Sequence, residues 1–128
     1  MRGERRRYFR LEVSIAPASI RRIDARGHVL GAIDARIAQI SGGGAQLSVR
    51  TGRLLPGHRL ALEFVLADEA FALAGHVVRT DEGTESGAVI GVAFDELDAN
   101  ARRRLVASMN EHRRRHEPQS PRAAHRLR

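Results

Sequence analysis

The chain has 128 residues, 42% hydrophobic and 29% charged, enough for one domain around one apolar core and too few for two. It contains no cysteine, which excludes disulfides, thiolate metal sites and cysteine nucleophiles. The formal charge of +7 is uneven: residues 1–10 carry +4, residues 101–128 carry +7, and the residues between carry −4, a pattern that suits an anionic partner gripped by basic ends.

In chain order, residues 9–15 alternate apolar and polar, which predicts a half-buried strand with Phe9, Leu11, Val13 and Ile15 on one face. Residues 19–23 continue extended, and Asp24 to Gly27 is a turn by composition. Residues 32–40 are again mostly extended. They end in Ser41-Gly42-Gly43-Gly44, the strongest backbone punctuation in the chain, where glycines permit positive φ angles and leave room above the backbone. Residues 45–49 alternate as another strand. Leu54-Leu55-Pro56-Gly57 reads as a turn, residues 59–66 as a strand, Ala67-Asp68-Glu69 as a tight connection and residues 71–79 as the returning strand of a hairpin. Residues 81–87 are polar and read as a loop, and residues 88–94 form the most hydrophobic strand of the series. Five or six short strands spaced by about 8–12 residues predict an antiparallel barrel or sandwich.

Only the end is helical. Asp95 or Asp98 can cap a helix in which Ala101, Leu105, Met109 and His112 recur at three- and four-residue spacing, a narrow stripe suited to one end of a barrel. The organisation expected is therefore a flexible arginine-rich arm over residues 1–10, a barrel over 11–97, a helix over 98–116 and a disordered tail over 117–128, where prolines and charge leave little to bury. The longest mainly apolar stretch, residues 60–67, is interrupted by Glu63 and far shorter than the roughly 20 residues of a membrane-spanning helix. No apolar run of signal-peptide length follows the arginines at the start, so a cytoplasmic chain with no membrane span is expected.

Catalytic readings find little support. Ser41 lies in a glycine run, yet its surroundings lack the Gly-x-Ser-x-Gly spacing and the strand-turn-helix context of a hydrolase nucleophile. His28, His58 and His76 are scattered beside glycines and turns. His112 and His116 have a spacing that can hold a metal, but arginines fill every position between them and repel a cation. The carboxylate pairs Asp68-Glu69 and Asp81-Glu82 belong to turns. No enzyme, metal or cofactor is expected. Arg5-Arg6-Arg7 with Arg10 is more informative, because guanidinium groups bind phosphates bidentately and stack on bases, which suits a nucleotide ligand.

The arm Arg5-Arg6-Arg7-Tyr8-Phe9-Arg10, followed about thirty residues later by Gln39-Ile40-Ser41-Gly42-Gly43-Gly44, resembles the two-part signature of PilZ domains: Arg-Arg-x-x-x-Arg, then Asp/Asn-x-Ser-x-x-Gly. The resemblance extends through Gly44-Ala45-Gln46-Leu47, Pro56-Gly57-His58-Arg59-Leu60-Ala61-Leu62-Glu63-Phe64, Gly75-His76-Val77-Val78-Arg79 and Ile90-Gly91-Val92-Ala93-Phe94, and covers roughly residues 4–112. It implies an all-β fold with a C-terminal helix, a six-stranded antiparallel barrel that binds cyclic di-GMP. By position it implies that Arg5, Arg6 and Arg10 hold phosphates and stack on guanine. Ser41 would contribute a hydroxyl or main-chain contact, and Gly44 would keep the backbone bare and supply the turn. The chain departs from the pattern at Gln39, whose amide is neutral and one methylene longer than the family's aspartate or asparagine.

The expectation is a stand-alone receptor that regulates an unidentified effector protein in trans, with Arg21, Arg22 and the helix arginines as a candidate effector surface. Two alternatives are a ligand-free scaffold acting by protein contact and a non-specific nucleic-acid binder using its basic ends. Charge alone favours the last, since one tyrosine and no aromatic row are available to stack on single strands.

Overall fold

The computed structural model describes residues 10–15, 19–50, 54–84 and 87–116. Of the expected arm over residues 1–10 only Arg10 is described, and there the expectation is corrected, since Arg10 opens a strand by pairing with Ser41. The rest of the arm, Phe9 included, and the expected tail over 117–128 lie outside the described residues. Within them the chain forms β1 (Arg10–Ile15), β2 (Ser19–Ile23), β3 (Val29–Ala32), β4 (Ala35–Ser41), β5 (Gly44–Val49), β6 (Arg59–Leu66), β7 (Glu69–Thr84), β8 (Gly87–Phe94) and α1 (Ala99–His116).

All eight strands join one antiparallel sheet in the order β1-β4-β5-β8-β7-β6-β2-β3. The expected six-stranded barrel is corrected on two points. Residues 29–32 form a short strand of their own, paired with β2, and no ladder among the described residues joins the edge strands β1 and β3. The expected loop over 81–87 is corrected as well. β7 runs on to Thr84 and pairs with β8 down to Thr84 opposite Gly87, so polar residues occupy a strand that propensity alone does not reveal.

Local chemistry fixes the turns. Leu55 to His58 closes with His58 N donating to Leu55 O at 3.0 Å while Gly57 takes φ +96°, a type II turn with proline and glycine at the two central positions. The β6–β7 hairpin turns on Ala67 and Asp68, both at positive φ (52° and 69°), as the right-handed twist of a two-residue hairpin requires. β6 alternates strictly, placing Leu60, Leu62, Phe64 and Leu66 in the core beside Ile37, Leu47 and Ile90.

Of the two candidate caps the structure uses Asp98, whose Oδ1 accepts the Ala101 amide at 2.7 Å. The helix buries Leu105 and Met109 completely and packs against β4 and β6. Arginine fastens it to the β6–β7 hairpin: Arg104 donates to Glu69 Oε2 at 2.6 and 2.9 Å and lies over the Phe71 ring, and Arg115 donates to Asp68 at 3.1 Å. No described helix is long and apolar enough to cross a membrane.

Candidate functional site

Strict alternation along β4 would turn Gln39 toward the core. Instead the register with β5 shifts between Ile37 and Gln39, so that Ala38 is an extra residue and Ile37 and Ile40, three apart, both point inward. Gln39 and Ser41 are thereby left on the opposite face. β7 does the same. Its register with β8 shifts between Val77 and Arg79, Val78 is the extra residue, and Arg79 comes to lie opposite Gly91 on the outer face. Two bulges on different strands thus aim three polar side chains into the same space.

That space is an open groove of about 430 Å³, lined by Arg10, Gln39, Ser41, Gly43, Gly44, Ala45, Gln46, Val78, Arg79, Gly91, Val92 and Ala93. Its glycines and alanines give a low, part-buried floor, covered by Arg79 at Gly91, and Arg10 and Arg79 bring positive charge. A shape of this kind suits a ligand with planar bases and phosphates.

The Ser41–Gly44 turn is held from within and from both sides. Ser41 Oγ accepts the amides of Gly43 and Gly44, each at 3.2 Å. Phe94 N donates to Gly43 O at 2.9 Å, and Arg102 Nε on α1 donates to Gly42 O at 3.3 Å. Gly44 itself is not in the left-handed region. Its requirement is space: a Cβ there would sit 2.2 Å from Val92 O, so side-chain absence allows β5 and β8 to approach.

The structure therefore brings Arg10, Gln39, Ser41 and Gly44 of the expected site into one groove, with Arg10 as the first residue of β1. Arg5 and Arg6 lie outside the described residues. Sequence reasoning overlooked Arg79 and Gln46 as groove residues. The facing of Arg79 depends on the bulge at Val78, whereas Gln46 faces outward by simple alternation and only the pairing of β5 with β4 and β8 brings it to the groove. The histidine pair is stacked, with His112 and His116 centroids 4.1 Å apart and His116 Nδ1 3.0 Å from His112 O. Among the described residues no three histidines, cysteines or carboxylates gather to hold a metal ion.

A family model described as the PilZ domain matches residues 4–111. The chain belongs to the PilZ family. PilZ domains are cyclic di-GMP-binding receptors rather than enzymes. Among solved structures, the PilZ domain with c-di-GMP of YcgR from Escherichia coli matches with a TM-score of 0.59 and 19% identity over 89% of this chain and 98% of that one. The inhibitor of motility MotI/DgrA from Bacillus subtilis matches with a TM-score of 0.64 and 15% identity over 88% of this chain, and the match spans 53% of the longer MotI chain. The PilZ domain of CeSA from a cellulose-synthesizing bacterium matches with a TM-score of 0.55 and 15% identity over 80% of this chain and 96% of that one. At these identities the likeness concerns the fold. A search of curated proteins gives no match.

Proposed function

We propose that this PilZ domain is a cytoplasmic cyclic di-GMP receptor that binds its ligand in the groove between β1, β4, β5, β7 and β8 and regulates an effector protein in trans. The observation that carries the reading is the convergence of Arg10, Gln39, Ser41 and Gly44, distant in sequence, with Arg79 on one concave face. The pocketed arginines offer forked donors to phosphate oxygens and planar faces to guanine, while the glycine floor lets a purine approach the backbone. Arg5 and Arg6 would hold the ligand from the N-terminal side, and the occupied groove would present a changed surface to a partner.

The nucleic-acid alternative draws less support. On α1, Arg104, Arg114 and Arg115 are engaged by Glu69, Glu111 and Asp68, which reduces the charge the helix offers to a phosphate backbone.

Isothermal titration with cyclic di-GMP at physiological salt, with GTP and cyclic GMP as controls, tests the receptor reading. Saturable binding that Arg6→Ala and Arg10→Ala each abolish is the expected result. Absence of heat together with an unshifted melting temperature would overturn it in favour of a ligand-free scaffold.

A further inference from the structure

Gln39 does not stand alone. In the β1–β4 ladder its partner is Glu12, and Gln39 Nε2 donates to Glu12 Oε2 at 2.8 Å. A carboxylate beside the amide settles which end of the glutamine faces it, because only the nitrogen can donate. Glu12 follows Arg10 by two residues on β1, and both side chains are exposed on the same face of the strand. Arg10 is in turn paired with Ser41, so the ladder pairs Arg10–Ser41 and Glu12–Gln39 are neighbours: Arg10, Ser41 and Gln39 line the groove, and Glu12 stands beside its edge, in contact with it through Gln39. Among the described residues no arginine neutralises Glu12, although Asp34, Asp68, Glu69, Asp81, Asp95 and Glu111 each face one.

We propose that Glu12, held by Gln39, is a specificity-determining residue that supplies the carboxylate for the guanine edge. The proposal rests on the receptor reading and deepens it. Guanine presents a ring N–H and an exocyclic NH₂ side by side, two donors that one carboxylate accepts together. The neutral amide of Gln39 has a single acceptor oxygen and brings no charge to the two donors. With one amide hydrogen engaged by Glu12, however, the pair still offers the Gln39 oxygen and the second Glu12 oxygen. Adenine places an acceptor where guanine has its ring N–H, so a carboxylate disfavours it. The carboxylate that the aspartate form of the motif would place at position 39 is, in this chain, one strand over.

The test is isothermal titration of the full chain with cyclic di-GMP and with cyclic di-AMP, for the unsubstituted protein, Glu12→Gln and the exchanged pair Glu12→Gln with Gln39→Glu. Because Glu12 is exposed, Glu12→Gln is expected to leave the melting temperature in place. It should weaken cyclic di-GMP binding about tenfold or more while changing cyclic di-AMP binding little. The exchanged pair should recover most of the loss. Unchanged cyclic di-GMP affinity in Glu12→Gln, or an equal loss for both ligands, would overturn the assignment of Glu12 while leaving the receptor reading intact. Failure of the unsubstituted protein to bind cyclic di-GMP would overturn both.

Discussion

Arg79 stands opposite Gly91 across the β7–β8 ladder, so close that a Cβ on Gly91 would lie 3.5 Å from the guanidinium carbon. The guanidinium lies over Gly91 at the groove wall, at ordinary van der Waals distance, and its other neighbour is the exposed carboxylate of Asp81 at 3.4 Å. An exposed ion pair of this length contributes little to folding. Arg79→Ala is therefore expected to leave the denaturation midpoint unchanged and to weaken cyclic di-GMP binding by about 1.5–3 kcal/mol, the worth of a hydrogen bond to a charged group. Arg79→Lys should recover only part, since lysine keeps the charge without the planar fork. Arg50→Ala, which removes an exposed pair with Asp34 away from the groove, is the control. Equal losses in Arg79→Ala and Arg50→Ala would show a general field rather than a local contact.

Gly44 makes a different prediction. A methyl group 2.2 Å from Val92 O has no flexible neighbour to displace, since the obstructing atom is backbone of β8. Gly44→Ala must push β5 from β8, and overpacking of this kind costs about 1–3 kcal/mol. Chemical denaturation should show a lowered midpoint in the absence of any ligand. Gly31→Ala is the comparison, because a Cβ there meets nothing within 4 Å. Equal midpoints for the two variants would remove the close-approach explanation for the motif glycine.

What the sequence revealed and concealed follows from the same residues. β6 and the core strand β8 were legible because Leu60, Leu62, Phe64 and Leu66 alternate and Val89 to Phe94 is apolar throughout. The Leu55–His58 turn and the Asp98 cap were legible because proline, glycine and aspartate act within a few residues of themselves. The bulges at Ala38 and Val78 were not, since neither residue differs from an ordinary strand residue and only the partner strand counts the extra position. Arg79 was overlooked for that reason. Glu12 was overlooked because its relation to Gln39 spans 27 positions and exists only through strand pairing. Gly44 was recognised as a position of bare backbone and as a turn residue, but its close approach to the backbone of β8 was not.

Ser41 has two separable effects. Its Oγ accepts two turn amides, so Ser41→Ala leaves Gly43 N and Gly44 N to water at a partly buried site, a loss of about 1 kcal/mol in stability. Ser41→Thr keeps the acceptor and should keep the stability. If the hydroxyl acts only through the turn, the threonine variant also binds cyclic di-GMP normally. A threonine variant that folds like the unsubstituted protein but binds poorly would instead place Ser41 against the ligand. Parallel denaturation and titration of the two variants separates the cases.

Stability should also fall on mild acidification. Burial holds the His58 imidazole below its ordinary value of 6.5, with Arg22 adding to the effect, and His58 Nδ1 accepts the Leu55 amide at 3.0 Å, a bond that protonation of that nitrogen breaks. His112 is likewise held below 6.5, first by burial and then by His116 and Arg115. For both groups the unfolded chain takes up protons at a higher pH than the folded one. Their contribution is thus complete above about pH 6.5 and is lost as pH falls from there toward the folded values. Asp95, lowered from 3.8 chiefly by its hydrogen bond from Arg59 and further by His76, adds a second loss that begins only as pH drops through the carboxylate range. Urea midpoints measured at about pH 7.5 and about pH 5.5 should therefore differ, with the lower pH less stable. The double variant His58→Asn with His112→Gln should flatten most of that difference, since asparagine can still accept the Leu55 amide without titrating. An undiminished fall in the double variant would assign the acid sensitivity to groups other than these two histidines.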